Sequence, residues 1–352
     1  MSEAATPAAL GYRMPAEWEP HVATWLAWPH ERSDWPGKFE TIPWVYAEVV
    51  RHLAAGERVR ILVDDARVER SARAVLRHAG VNLRRVRFFR VPTDRSWTRD
   101  TCPLFIRRDG GDAALVHWRF NGWAKYPNHR RDAVVGNAVA RTLRRRRWEP
   151  DVAGRPVVLE GGAVDVNGRG TLLATEECLL SRRQARNPGV TRAELERVLG
   201  AYLGVRKVLW LGRGIAGDDT HGHVDDLARF VDARTVVIAQ EDDPADPNHE
   251  PLRENRARLE RMTDQDGRRL RVVALPMPAP VVFNGQRLPA SYANFYVANA
   301  AVLVPTFNDV RDREALAILT ALFPSRPVVG IYAGDLVLGL GTLHCMTQQE
   351  PA

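Results

Sequence analysis

The run Val157-Val158-Leu159-Glu160-Gly161-Gly162 and the residues after it decide the fold. An apolar strand ends on a carboxylate and two glycines, then enters a hairpin with arms at 163–166 and 171–174 around Asn167-Gly168. Asn-Gly tolerates the positive φ that a tight hairpin turn requires. Helical spacing follows at 192–199, and an apolar strand at 207–211. The same order returns twice: strands at 227–231 and 235–239, helix 254–262, strand 270–275; then strands at 295–298 and 301–305, helix 314–323, strand 327–332. Each strand-strand-helix-strand unit spans about 60–70 residues, a period that predicts repeats arranged about an axis. Element order, not residue identity, carries this reading.

Upstream, residues 20–28 read as a short buried strand with Trp18, Trp25 and Trp28 supplying bulk. Helices at 46–55 and 67–78 alternate with strands at 59–63 and 86–91, a loop covers 96–103, and strands follow at 104–107 and 114–120. Helices alternating with strands place the chain in the α/β class. No Pro- or Ser-rich linker divides it.

Among 352 residues, 45% are hydrophobic and 26% charged, the balance of a soluble globular protein. The start, Met1-Ser2-Glu3-Ala4-Ala5-Thr6-Pro7, has neither a basic n-region nor an apolar core, so no signal peptide is expected. No apolar run approaches the length of a membrane span, so no membrane partner is expected. Cys102, Cys178 and Cys345 are too scattered for a disulfide framework or a paired-cysteine zinc site, which fits a reducing cytoplasm. The net charge of +7 comes mostly from arginine, with a dense run at 141–147. That run follows a helical stretch and lacks interleaved aromatics, so it reads as a solvated helix end and not as a nucleic-acid surface.

Unusual residues fall at matching places. Asp100, Glu160, His223 with Asp225, and Asn294 stand at or just before the first strand of a unit, and Cys345 stands in the tail. Units around an axis would bring these positions to its centre. The tail, Gly339-Leu340-Gly341-Thr342-Leu343-His344-Cys345-Met346-Thr347-Gln348-Gln349, is too rich in Gly, His and Cys for a frayed end. Cys345 on such a constrained loop is a candidate nucleophile, its alternative being a buried structural cysteine. Glu160 beside two glycines is either a site carboxylate or part of a plain turn.

Asp218-Asp219-Thr220-His221-Gly222-His223-Val224-Asp225-Asp226 is the densest polar stretch. One reading is a metal-dependent hydrolase, with His221, His223 and Asp225 as ligands in a pattern similar to metallo-β-lactamase-like enzymes. The other is acid–base work: carboxylate neighbours raise the pKa of a histidine, and His223 and Asp225, two apart on an extended segment, face one side. Asp100 adds a carboxylate and Trp97 an aromatic neighbour. Carboxylates gathered in a basic chain imply a cation between them. A planar guanidinium suits both bidentate pairing and stacking on Trp97.

Trp97-Thr98-Arg99-Asp100-Thr101, Leu159-Glu160-Gly161-Gly162, Asp219-Thr220-His221-Gly222-His223-Val224-Asp225, Ala290-Ser291-Tyr292-Ala293-Asn294-Phe295-Tyr296 and His344-Cys345-Met346-Thr347-Gln348-Gln349, with Met14-Pro15-Ala16-Glu17-Trp18, together resemble the agmatine deiminase / bacterial-type peptidylarginine deiminase family. The resemblance implies a single pentein domain over residues 1–352, a five-bladed α/β propeller with pseudo-fivefold symmetry. It implies Cys345 as nucleophile, His223 as general acid/base, Glu160 as its acidic partner, and Asp100 and Asp225 as the guanidinium clamp. Trp97, Asp219 and Asn294 are further candidates for substrate contact. No metal or organic cofactor is implied. The implied partner is a small cationic guanidine, foremost agmatine in putrescine biosynthesis, and a homo-oligomer is compatible with this reading. Two positions depart from the family pattern: His221 replaces a usual acidic residue, and Cys102 a usual glycine. The first leaves another guanidine or a peptidyl arginine open as substrate. A non-catalytic binding protein is the remaining alternative.

Overall fold

In the computed structural model, which describes residues 5–352, helices and strands alternate along the chain. The reading of the first seven residues as lacking a signal peptide falls partly on 1–4, outside the described range.

Strand Asp165–Val166 pairs antiparallel with Thr171–Thr175, which pairs parallel with Lys207–Leu211 across helix Arg192–Leu203. A parallel pair needs such a crossover, and a helix supplies it. This helix starts on a reciprocal cap between Thr191 and Glu194, stops at Gly204 with φ of 70°, and buries Leu195, Val198, Leu199 and Leu203.

The same pattern builds the sheet of Ala228–Phe230, Thr235–Gln240 and Arg271–Pro276, and that of Tyr296–Val297, Val302–Thr306 and Val328–Tyr332. Upstream it recurs in Leu104–Arg107, Ala113–Val116 and Arg147–Trp148. A fifth sheet joins the two ends of the chain. Gln348–Pro351 runs antiparallel to His21–Ala27, which pairs parallel with Arg58–Val63, and Val86–Arg90 extends the edge. Each sheet packs apolar side chains on its own helix, as Val236 and Ile238 pack with Leu252 and Leu259.

Three local expectations change. Residues 96–103, read as a loop, contain a helical turn, Thr98–Thr101. Tertiary contacts hold it: the Arg99 amide donates to the Cys345 carbonyl at 3.1 Å, and Thr98 Oγ1 donates to the Met346 carbonyl at 2.8 Å. The apolar run at 157–162 makes one bridge, Arg119 with Val158, and then a 3-10 turn at Gly161–Ala163 instead of a continuous strand. Close packing demands glycine in this turn, since a Cβ at Gly161 would sit 2.2 Å from the Arg99 carbonyl oxygen. Helix Val135–Leu143 ends at Arg144 with φ of 52°, and Arg147 already belongs to the next strand. The arginine run is therefore a helix end leading into a sheet edge.

Candidate active site

Asp100 precedes Leu104–Arg107, Glu160 precedes Asp165–Val166, and His223 and Asp225 precede Ala228–Phe230. Asn294 precedes Tyr296–Val297, and Cys345 precedes Gln348–Pro351. Each of the five sheets thus contributes a side chain just before its antiparallel first strand. The structure brings them together in one buried cluster.

Cys345 Sγ lies 3.2 Å from Asn294 Nδ2 and 3.7 Å from Asp225 Oδ2. His223 places Nε2 3.5 Å from Glu160 and Nδ1 3.9 Å from Asp100. Gly162 makes room for this histidine, because a Cβ there would lie 2.5 Å from His223 Nδ1 and 3.1 Å from both Asp100 Oδ1 and Asp225 Oδ2. The Gly162 amide instead donates to Asp100 Oδ1 at 2.9 Å, and Trp123 Nε1 donates to Asp100 Oδ2 at 2.9 Å. Asp218 shapes the loop from below, accepting from the Gly222 amide at 2.7 Å and the His223 amide at 3.1 Å.

Burial raises the Cys345 thiol well above its ordinary range, and Asp225, Asp226 and Asp100 add to the rise by opposing a thiolate. Burial works against an imidazolium at His223, yet Asp100, then Cys178 and Glu160, lift its pKa well above the ordinary value. Burial also opposes charge on Glu160, but Arg186 at 3.1 Å and His223 hold its carboxyl low. Asp100 is raised, by burial first and then by the negative charges of Asp225 and Glu160. Asp225 is lowered: His344, His223 and Arg229 together outweigh its burial. Its neighbour Asp226 is raised well above the usual range by burial, Asp225 and Asp218. The site therefore sets a protonated thiol among carboxylates whose mutual repulsion raises Asp100 and Asp226, an arrangement that a cation relieves.

A cavity of about 340 Å³ opens onto Cys345 and Asp100, with Trp97, Trp123, Tyr126, Asp34 and Asp219 in its walls. Trp97 leans on Trp35 at a centroid distance of 5.7 Å. Its ring also faces Gly341, where a Cβ would lie 3.0 Å from both Trp97 and the Cys345 Cβ. Asp219 reaches the cavity but is engaged by Lys125 at 3.1 Å and by the Tyr126 hydroxyl. His221 lies elsewhere. It takes φ of 68°, lines a separate recess with Glu177 and Ser181, and sits 3.2 Å from Ser181 Oγ. The ligand set His221, His223 and Asp225 is therefore not assembled. Among the described residues, the groups with donor atoms within 4.8 Å of one another are Glu160, Cys178 and His223, and Asp225, Asp226 and Cys345; His221 joins neither. Cys102 is buried beside Trp25, Leu62 and Phe105, away from the cavity lining.

Sequence reasoning passed over Trp123, Arg186, Asp226 and His344, which touch site residues, and Glu17, which touches His344. His344 lay within a quoted motif, and its place beside the candidate nucleophile was the available signal.

The profile of the Porphyromonas-type peptidyl-arginine deiminase family matches residues 13–351. The chain belongs to that family. Its curated relatives include the agmatine deiminase of Pseudomonas aeruginosa (strain LESB58), 37% identical over 99% of this chain and 97% of the relative. Among solved structures, the agmatine deiminase of Enterococcus faecalis superposes with a TM-score of 0.91 at 31% identity, covering 99% of this chain and 98% of that one. A C. jejuni agmatine deiminase with substrate bound superposes at 0.85 with 27% identity, covering 97% of this chain and 96% of that one. Family membership accounts for the shared α/β architecture.

Proposed function

We propose that the chain hydrolyses agmatine to N-carbamoylputrescine and ammonia through a covalent intermediate on Cys345. The observation that carries this reading is the sulfur of Cys345 facing a cavity beside Asp100 and 3.7 Å from Asp225. Two carboxylates there suit the paired N–H groups of a guanidinium. The name shared by the relatives supports agmatine as the substrate, and His221 lies outside the cavity, in a recess with Glu177 and Ser181.

The bound guanidinium offsets the negative field that holds the thiol protonated, so the Cys345 proton passes to solvent and the thiolate forms against the planar carbon. The new C–S bond gives a tetrahedral centre. His223, held protonated by Asp100 and Glu160, donates its proton to one terminal nitrogen, the C–N bond breaks, and ammonia departs. A thiouronium remains. Neutral His223 then takes a proton from water, the hydroxide oxygen adds to the same carbon, and the C–S bond breaks as the hydroxyl proton passes to the departing sulfur, releasing the neutral ureido product and restoring the Cys345 thiol. Glu160 serves as the acidic partner of His223, Trp97 as a wall for the alkyl chain, and Asn294 as a donor toward the sulfur. Asp219 stands farther out, as a contact for the substrate tail.

The same reading arranges the five sheets as blades about a central axis, one pentein domain over the whole chain. Closure of the first strand on the last, and the arrival of one site residue from each sheet, support it. A small cationic guanidine is the partner in this reading and the cytoplasm its setting, with self-association into a homo-oligomer compatible with it; neither a nucleic acid nor a membrane has a role. No helix is long and apolar enough to cross a membrane among the described residues.

The test is ammonia and ureido-product release from agmatine, beside free arginine, a peptidyl arginine and a Cys345→Ala control. Agmatine turnover lost in the variant supports the reading. Turnover confined to another guanidine overturns the substrate, and activity that survives in Cys345→Ala overturns the mechanism.

A further inference from the structure

Below Asp225 lies a layer of buried charge that the reaction just described does not use. The ring of His344 fills the gap between two carboxylates: Nδ1 is 2.6 Å from Asp225 Oδ2 and Nε2 is 2.8 Å from Glu17 Oε2. All three side chains are at most 5% exposed. Glu17 also accepts from Arg229 at 2.9 Å, Arg99 at 3.1 Å and the Val297 amide at 2.8 Å. Despite full burial, Arg229, His344 and Arg99 hold it well below the usual carboxylate range. An ionised carboxylate only accepts hydrogen bonds, so donation to both at once takes a proton on each ring nitrogen. The second oxygen of Asp225, Oδ1, is buried without a hydrogen-bond partner.

We propose that His344, anchored by Glu17, is a positioning residue that pins Oδ2 of Asp225, keeps that carboxylate ionised, and leaves Oδ1 for the guanidinium. The proposal rests on the guanidine reading of the site. The other groups acting on Asp225 divide by sign. Asp100, Asp226 and the Cys345 sulfur oppose its charge, while His223 and Arg229 favour it. His344 makes the direct hydrogen bond and tips this balance. Without its charge, Asp225 takes up a proton at a higher pH and holds a cationic substrate less well.

His344→Gln keeps a hydrogen-bond donor and removes the charge. The expected result is an agmatine KM raised about tenfold at neutral pH, with the acid limb of kcat/KM moved up by about one pH unit. At a pH above that limb, kcat stays within about threefold of the parent. A parallel fall in kcat and melting temperature with an unmoved acid limb indicates a merely structural histidine and overturns the proposal. A second measurement leaves His344 in place: ¹⁵N NMR of the Cys345→Ala protein at neutral pH counts its ring N–H protons. Two support the bridge and one overturns it. If the parent chain turns over no guanidine, the guanidine reading fails separately, and the proton count still decides whether the bridge exists.

Discussion

The side-chain nitrogen of Asn294 lies 3.2 Å from the sulfur of Cys345, while its oxygen accepts from Thr342 Oγ1 at 2.7 Å and from the His344 amide at 3.0 Å. One amide therefore holds both the nucleophile and the loop that carries it. Asn294→Ala frees that loop, and misplacement of a nucleophile by even about 1 Å costs on the order of a hundredfold in rate. A kcat lowered by that order, with the agmatine KM changed less than about threefold, is expected from steady-state kinetics. An unchanged kcat removes Asn294 from the site.

Gly162→Ala places a methyl group 2.5 Å from His223 Nδ1. The imidazole has to move away from Asp100 and Glu160, and proton transfer suffers. Loss of general acid–base assistance corresponds to about a hundredfold or more in kcat. Thermal melting beside activity separates this effect from unfolding: a folded, weakly active protein is expected, and full activity refutes the assigned place of His223.

Asp225→Asn has two effects of opposite sign. Asp225 is the first charge, after burial, that raises the Cys345 thiol, so its neutralisation makes the thiol more acidic. Alkylation of Cys345 by neutral iodoacetamide at neutral pH is expected to quicken several-fold, because thiolate is the reacting form. Agmatine turnover falls in the same variant, because one arm of the clamp is gone. Slower alkylation contradicts the assigned electrostatics.

Asp132 supplies a pH dependence of stability. It accepts from the Asp94 amide at 2.8 Å and the Arg95 amide at 3.3 Å, yet burial dominates and lifts its pKa to about 7. The raised value means that the folded state binds this proton more tightly than the unfolded chain. Its stabilisation is full below about pH 4 and is lost as pH rises toward 7, by up to about 4 kcal/mol. Urea unfolding across that window should show Asp132→Asn declining less steeply than the parent. Equal slopes would mean that Asp132 ionises freely in the fold.

Much of the site was legible because its residues are chemically conspicuous: a cysteine between a Gly-x-Gly turn and polar side chains, a histidine amid carboxylates, a carboxylate before two glycines. The repeating order of strands and helix was legible because apolar periodicity persists where strands are buried and helices have one buried face. Gln348–Pro351 was not read as a strand. Its first three residues are buried yet polar, and two of them are satisfied from afar: Gln349 by Arg99 at 2.7 Å, Glu350 by Trp25 Nε1 at 3.0 Å. A strand stabilised by distant polar partners carries no apolar alternation. The helical turn Thr98–Thr101 escaped for a related reason, since contacts with Cys345 and Met346 hold it more than its own propensity does.

The sequence by itself determined the α/β class, the order of elements in the repeat, the kinds of side chain available for chemistry and the family they resemble. Tertiary structure decided which of them meet. It carried His221 into a separate recess through a positive φ and brought Glu17 beneath Asp225 by way of His344, although Glu17 and His344 are 327 residues apart. It also set the protonation balance, raising Asp226 and lowering Asp225 although the two are adjacent. Residue type fixes what a group can do, but burial and the charges arriving from other sheets fix its ionisation, and neither is encoded in local spacing.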